Sequence, residues 1–383
     1  IHRKGIAGFN QDLQRVLASF VMSNARASSR NIYAGMVQDA ISGIDKENGS
    51  LIDDAVQLND FVNSPAEHYA TFRNLIFLWN LGLSMMFGLM NLTQPIMMTL
   101  PKLSTRISPA KAASILVKAL PSAMAATLQN KAPKGYEQEY ARAVREGHVD
   151  PQNTWLLQGA ERGSSGLASS GWQMFSHAMS SVAQITESMN RKTTLIAALE
   201  AAKAMGREKL KKLGFSTPYD FAVDLISQTQ GVYNKGNRSN WAQSKPGSVL
   251  LVFKSYSVNY VELLWRMSKD KDDPFRKGFW LALAMLWSVA GLLGLPFAQD
   301  IKDIVEATAG WGGKPVNTER EIREALGNTP AEVFLYGLSA MPDSRMDMAG
   351  KMSMGNQIPA TSLLNPYASD SNKSRHTQEI FGA

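Results

Sequence analysis

The side chains able to carry acid–base, nucleophilic or metal chemistry are scattered rather than grouped. Histidines stand at positions 2, 68, 148, 177 and 376, and no His-Glu-x-x-His pair sets two imidazoles on one helical face. There is no cysteine, which excludes thiolate metal sites and a disulfide framework. Gly310-Trp311-Gly312-Gly313-Lys314-Pro315 has the glycines and lysine of a phosphate loop, but its first glycine is too close to the Gly-Lys pair. Pro315 also stands where a hydroxyl is required, so the segment reads as a loop closing one helix before the next. Gly163-Ser164-Ser165-Gly166-Leu167 lacks the glycine spacing of a nucleophile elbow. Ser108-Pro109-Ala110-Lys111 has the spacing of a Ser-x-x-Lys nucleophile, yet its proline makes it a helix cap. No catalytic residue, cofactor or metal site is assigned, and the chain is expected not to be an enzyme.

Gly88-Leu89-Met90-Asn91-Leu92 resembles the Gly-Leu-Met-Gln string of lytic transglycosylases, whose catalytic glutamate lies upstream of it. Here Glu187-Ser188 lies downstream, with no partner carboxylate implied. The densest cationic group is Arg207, Lys209, Lys211 and Lys212, next to Gly206. With a formal net charge of +7 and an isoelectric point near 9.4, the chain favours anionic partners such as phospholipid headgroups or nucleic acid. No aromatic side chain is interleaved with that group, so a stacking platform for single strands is not indicated.

Two uncharged runs dominate the remaining pattern, 74–101 between Arg73 and Lys102, and 278–299 between Lys277 and Asp300. Each is long enough to cross a bilayer as a helix, since roughly 20 residues at about 1.5 Å rise cover a hydrocarbon core of about 30 Å. Asn80, Asn91 and Gln94 interrupt the first run with amides that need partners away from water. Gly82, Gly88, Gly291 and Gly294 would permit close helix contact, and Trp79, Trp280 and Trp287 would suit a headgroup layer. Arg73, Lys102, Arg106, Arg276 and Lys277 flank the runs as contacts for an anionic partner. In an assembled state these runs are expected to be buried in protein, with insertion into lipid a later state. The 19 methionines suit repacking in either surroundings.

The elements around the runs read as helices throughout. Phe9, Leu13, Val16, Leu17, Phe20 and Val21, then Ile32, Met36, Val37, Ile41 and Ile44, recur every three to four residues. Ser64-Pro65-Ala66-Glu67, Thr217-Pro218-Tyr219-Asp220 and Thr329-Pro330-Ala331-Glu332 each offer a hydroxyl cap, a proline and a carboxylate, predicting three helix starts. A long helix from Trp172 carries Phe175, Met179, Val182, Ile185, Met189, Ile196 and Leu199 on one stripe, with Glu187, Arg191, Lys192 and Lys203 off it. Another follows Lys245-Pro246-Gly247, with Val249, Phe253, Tyr256, Tyr260, Leu263, Leu264 and Met267 in register. The expected fold is all-α: long amphipathic helices and two very apolar helices in an elongated or oligomeric bundle. Its regions are a helical part over 1–161 containing apolar helix 74–100, a Gly/Ser linker over 162–171, and a helical part over 172–340 containing apolar helix 278–298. A tail over 341–383 is expected to be extended or disordered unless a neighbour holds it. The first residue is Ile1, and no secretory signal pattern opens the chain, which reads as a piece of a longer or processed polypeptide.

Four strings in order carry a resemblance. Asn91-Leu92-Thr93-Gln94-Pro95-Ile96-Met97-Met98-Thr99-Leu100-Pro101 resembles a string of very large phage and prophage proteins of the polyvalent or internal-virion type. Met189-Asn190-Arg191-Lys192-Thr193-Thr194, Lys254-Ser255-Tyr256 and Gly291-Leu292-Leu293-Gly294-Leu295-Pro296-Phe297-Ala298-Gln299-Asp300 resemble the same group. Together they cover about residues 70 to 310, in the order expected of the C-terminal part of such proteins. The Pro-Leu-x-Arg-Phe-Gly motif by which many relatives are named is not found. The resemblance implies an ejection protein, held in the virion interior or tail and delivered with the genome, that helps form a DNA conduit across the host cell envelope. Its implied partners are further copies of itself, other virion proteins, phage DNA and the bacterial membrane. The alternative is a non-catalytic helical scaffold of a larger packaged enzyme, a virion RNA polymerase or a cell-wall-cleaving protein.

Overall fold

A computed structural model describes residues 13–63, 91–149, 168–230, 244, 255–311, 316–341, 355, 358 and 361. Among these residues all regular structure is helical. In chain order the elements are α1 (Leu13–Ser42), α2 (Gly49–Asn63), a π-helical turn (Pro95–Thr99), α3 (Leu100–Ser104), α4 (Pro109–Leu128), α5 (Glu137–Arg145) and α6 (Ala168–Met205). They continue as α7 (Arg207–Lys212), α8 (Pro218–Thr229), α9 (Ser255–Ser268), α10 (Lys277–Ala290), α11 (Ala298–Trp311), α12 (Thr318–Leu326) and α13 (Asn328–Tyr336).

Helix starts follow the cap chemistry in two places and depart from it in a third. Thr217 and Asp220 form a reciprocal box, with Asp220 N donating to Thr217 Oγ1 at 3.1 Å and Thr217 N to Asp220 Oδ2 at 2.9 Å. Ser108 caps α4 by accepting from Lys111 N. At the third site α13 starts at Asn328, directly after Gly327, and Glu332 pairs with Arg323 instead of reaching back to Thr329. Pro330 still lies in the first turn, where its missing N–H would have had no intrahelical partner. The start at Ser64 lies outside the described residues.

Two apolar cores form. In the first, alanines of α4 (Ala112, Ala119, Ala123) pack along Ala197, Ala198, Ala201 and Ala202 of α6, and Phe221, Leu225 and Ile226 of α8 close the other side. In the second, Tyr260, Leu263 and Met267 of α9 meet Ala282, Leu286 and Ala290 of α10 and Leu335 of α13. The segment from the π turn into α3 belongs to both, with Met97 and Met98 in the second core and Leu100 and Leu103 in the first. A π turn adds a residue to the helical turn. Neither core includes a residue of α1 or α2, which leave Leu17, Phe20, Ile32, Met36 and Leu51 exposed. The periodicity of that hairpin is therefore present without a covering partner in the chain described.

The expected apolar helix over 278–298 is corrected. α10 stops at Ala290, a single 3-10 turn covers Leu292–Gly294, and α11 starts at Ala298. The break lies at Gly291, whose φ is +65° and whose added Cβ would overlap the backbone of Leu335 and Tyr336. Gly337, with φ +78°, faces Val289 and Gly291 in return, so two glycines let the chain cross itself at backbone contact. The 14 residues of α10 reach only about 21 Å. Among the described residues no helix is long and apolar enough to cross a membrane. Residues 74–90 of the other run lie outside the described part, and its remainder includes the π turn.

Other boundaries shift. Residues 168–171 of the expected linker belong to α6; 162–167 lie outside the described residues. From Asn190 to Leu199 α6 is buried on every face, so Arg191 and Lys192, expected off the apolar stripe, lie inside. A neighbour does hold part of the tail: Gln299 N and Asp300 N donate to Gly355 O, while Ile358 N and Thr361 Oγ1 donate to the Asp300 carboxylate.

Candidate functional site: a buried polar seam

The strings Asn91–Pro101 and Met189–Thr194, about a hundred residues apart in sequence, pack against each other through polar side chains. On α6, Thr186, Asn190 and Thr194 recur every four residues and so share one stripe, which faces the π-turn segment. The need for that stripe begins with Pro95, which has no N–H to donate to the carbonyl of Asn91 one helical turn earlier. Asn190 Nδ2 supplies the missing donor, reaching Asn91 O at 2.6 Å and also Gln94 Oε1 at 3.1 Å. Asn91 Nδ2 in turn donates to Thr186 Oγ1 at 3.3 Å.

Below this lies a hydroxyl–amide layer shared with α8. Thr99 Oγ1 and Thr194 Oγ1 are 3.0 Å apart, and Gln230 Nε2 donates to Thr194 Oγ1 at 2.9 Å and to Thr99 Oγ1 at 3.3 Å. Thr99 Oγ1 also donates to Thr229 Oγ1 at 3.4 Å, and Gln94 Nε2 to the Thr229 carbonyl at 3.5 Å. Among the described residues, Asn190 Oδ1 and Gln230 Oε1 are buried acceptors with no hydrogen-bond partner.

Arg191 closes one end of the seam. Its guanidinium donates to Glu187 Oε1 at 2.9 Å, to the His148 carbonyl at 3.0 Å and to the Gln230 carbonyl at 3.4 Å. Burial pushes the His148 imidazole below its ordinary pKa, Glu146 opposes that shift, and the Arg191 charge adds to it. Lys192, only 2% exposed, turns to another side of α6 and places its ammonium 5.3 Å from the centre of the Tyr140 ring. The seam thus consists of neutral, directional groups bordered by one matched ion pair. It fixes helix register but presents no nucleophile–base pair. Among the described residues, no group of three or more histidine, aspartate or glutamate side chains is placed to hold a metal ion.

No family model, curated protein or solved structure matches the chain. Any account of its activity therefore stands on the site itself and on the ordered strings.

The remaining candidate residues fall into distinct settings. Asn91 and Gln94 lie in the seam, whereas Arg73, Trp79, Gly82 and Gly88 lie outside the described residues. Gly291 and Gly294 are buried, Gly291 at the backbone crossing within the chain. Trp280 and Trp287 are exposed on α10, Trp287 meeting Phe334 edge-on at 6.1 Å. Lys102 and Arg106, expected to face an outside anion, point inward to Asp270, at 3.7 Å and 3.0 Å. Burial is the main cause lowering the Lys102 pKa, with the neighbouring Arg106 charge next. Lys209 Nζ donates to the Arg106 carbonyl, while Arg207, Lys211 and Lys212 are exposed on α7. Arg276 holds the carbonyls of Asp270 and Asp273, and Lys277 is exposed at 3.8 Å from Asp273. Thr186, Thr194, Thr229, Gln230 and Arg191 were not anticipated as a group. The signal for Thr186 and Thr194 was the four-residue polar spacing on α6, which an apolar-stripe reading passes over.

Proposed function

We propose that this chain is a phage internal virion protein, delivered with the genome, that helps form a DNA conduit across the bacterial envelope. The observation that carries the reading is the seam: two of the four strings that resemble such proteins are joined by amides and hydroxyls that cover the end of an uncharged run. Such a covering holds an apolar segment in a watery state, and each neutral bond in it is worth only about 1 kcal/mol net. The contact can therefore be exchanged for another amide partner, such as a second copy, once the surroundings change. The exposed apolar faces of α1 and α2 supply the surface for further copies.

Purified chain added to vesicles containing phosphatidylglycerol and a self-quenched dye tests this directly. Dye release that rises with protein is the expected result. Vesicles that stay sealed at saturating protein overturn the conduit role. The scaffold of a packaged enzyme then becomes the better account, supported by the all-round burial of α6 between Asn190 and Leu199.

A further inference from the structure

We propose that the turn joining α9 to α10 is a docking surface for an anionic lipid headgroup layer, entered peripherally rather than crossed. The inference rests on the membrane-directed reading above and gives that reading a place on the molecule. Three large aromatics crowd this end of the helical pair: Trp265 is 64% exposed near the end of α9, Phe275 80% exposed in the turn, and Trp280 62% exposed in the first turn of α10. Tryptophan at such a position presents an apolar body with a polar edge, the combination that settles at a headgroup boundary. The α9–α10 pair buries its opposite faces, through Tyr260, Leu263 and Met267 on one helix and Ala282, Leu286 and Ala290 on the other.

The charges around these rings suit an anionic surface. The stretch from Lys269 to Lys277 holds four cations and three aspartates, and each aspartate has a cation of the fold within 4 Å. Arg106 pairs with Asp270 at 3.0 Å and with Asp272 at 3.6 Å, and Lys102 adds to Asp270. Asp273 is fully buried and accepts from Gly278 N at 2.9 Å, with Lys277 at 3.8 Å. Lys269 lies 4.8 Å from the centre of the Trp265 ring, and Lys271 is exposed. Lys102 and Arg106 thereby offset Asp270 and Asp272, Lys277 is engaged by Asp273, and Lys269 and Lys271 face outward beside the aromatics.

The turn is also held in shape. Arg276 donates to the Asp270 and Asp273 carbonyls at 2.8 and 2.7 Å, and Gly278 lies so close to Pro101 and Thr105 that a Cβ would not fit without a shift. Phe275 is thus presented by a braced loop. Little ordering remains to be done on docking.

The test is co-sedimentation of the full chain with vesicles of phosphatidylcholine plus phosphatidylglycerol and with phosphatidylcholine alone. Three proteins are compared: the parent, Lys269→Gln/Lys271→Gln, and Trp265→Ser/Phe275→Ser/Trp280→Ser. The parent is expected to prefer the anionic vesicles. Each lysine contributes about fivefold at an anionic surface, so the lysine variant should lose roughly 25-fold and much of its salt dependence. The aromatic variant should lose at least about tenfold on the anionic vesicles. Far-UV circular dichroism and melting temperature should be unchanged in both, since the side chains replaced are exposed. If the parent binds anionic vesicles and both variants bind equally well, the docking surface lies elsewhere and only this inference fails. If the parent binds neither vesicle, the membrane-directed reading fails with it. Equal binding to both vesicles overturns the electrostatic half, and an altered oligomeric mass in the aromatic variant would make this face a contact between copies.

Discussion

Replacing Asn190 by alanine tests the seam at its most constrained point. The side chain donates twice, to Asn91 O and to Gln94 Oε1, and the first acceptor lies one helical turn before Pro95, which has no N–H to give it. Losing two neutral bonds removes about 2 kcal/mol, and stranding buried acceptors adds about 1–3 kcal/mol. Asn190 Oδ1 has no partner among the described residues, so its removal relieves about 1 kcal/mol of that total. The expected net loss is about 2–4 kcal/mol, read as a shift in urea unfolding followed by far-UV circular dichroism. The second arm is Pro95→Ala, which supplies an N–H one turn from Asn91 O. On its own it should change stability by less than about 1 kcal/mol, mainly by loosening the unfolded chain. In the double variant the restored helical bond should recover about 1 kcal/mol relative to the sum of the singles. A strictly additive double variant, or a loss below about 1 kcal/mol for Asn190→Ala, would refute the account of Pro95 and Asn190 as complementary defects.

Gly291→Ala should destabilise by at least about 2 kcal/mol in thermal or urea unfolding, because the left-handed backbone and the contact with Leu335 and Tyr336 both exclude a Cβ. Stability should fall on acidification through Asp270 and Glu319. Burial alone would raise both carboxyls; Arg106 and Lys102 overcome it at Asp270, as Lys302 and Tyr336 do at Glu319, and hold them below their ordinary values. With folded pKa values depressed, their contribution is complete above the ordinary carboxylate range and is lost as pH falls through the folded values; Arg106→Gln should flatten the Asp270 part of that profile in pH-dependent melting. Thr217→Ala should lose about 1 kcal/mol, measured by unfolding, through the reciprocal cap of α8. Sedimentation should show a mass above the monomer that detergent lowers, if the exposed apolar residues of α1 and α2 join copies; a monomer in both conditions would reject that role.

The all-helical class was legible because apolar spacing of three to four residues survives in α6, α9 and α1, and the cap of α8 was legible because Thr217, Pro218 and Asp220 act locally. The break at Gly291 was not. An uncharged run tells how residues partition from water, whereas Gly291 is decided by the backbone of Leu335 and Tyr336, more than forty positions away. A smaller part of the candidate site was visible as well. Asn91 and Gln94 stood out as amides in an apolar run, but their partners Asn190, Thr194 and Gln230 look like ordinary helix polar residues until three helices converge. Lys102 and Arg106 misled for the same reason, since a flanking cation in sequence carries no mark of the aspartate that waits for it at position 270.

The proline at 95 has a wider implication. A helix that lacks one of its own donors is not a self-sufficient object: pulled away from Asn190, it carries a bare carbonyl into whatever medium receives it. In hydrocarbon that vacancy is expensive enough to demand a replacement amide at once. Under the proposed conduit role, departure of the segment would therefore be coupled to arrival at a new neighbour, a handover rather than a release.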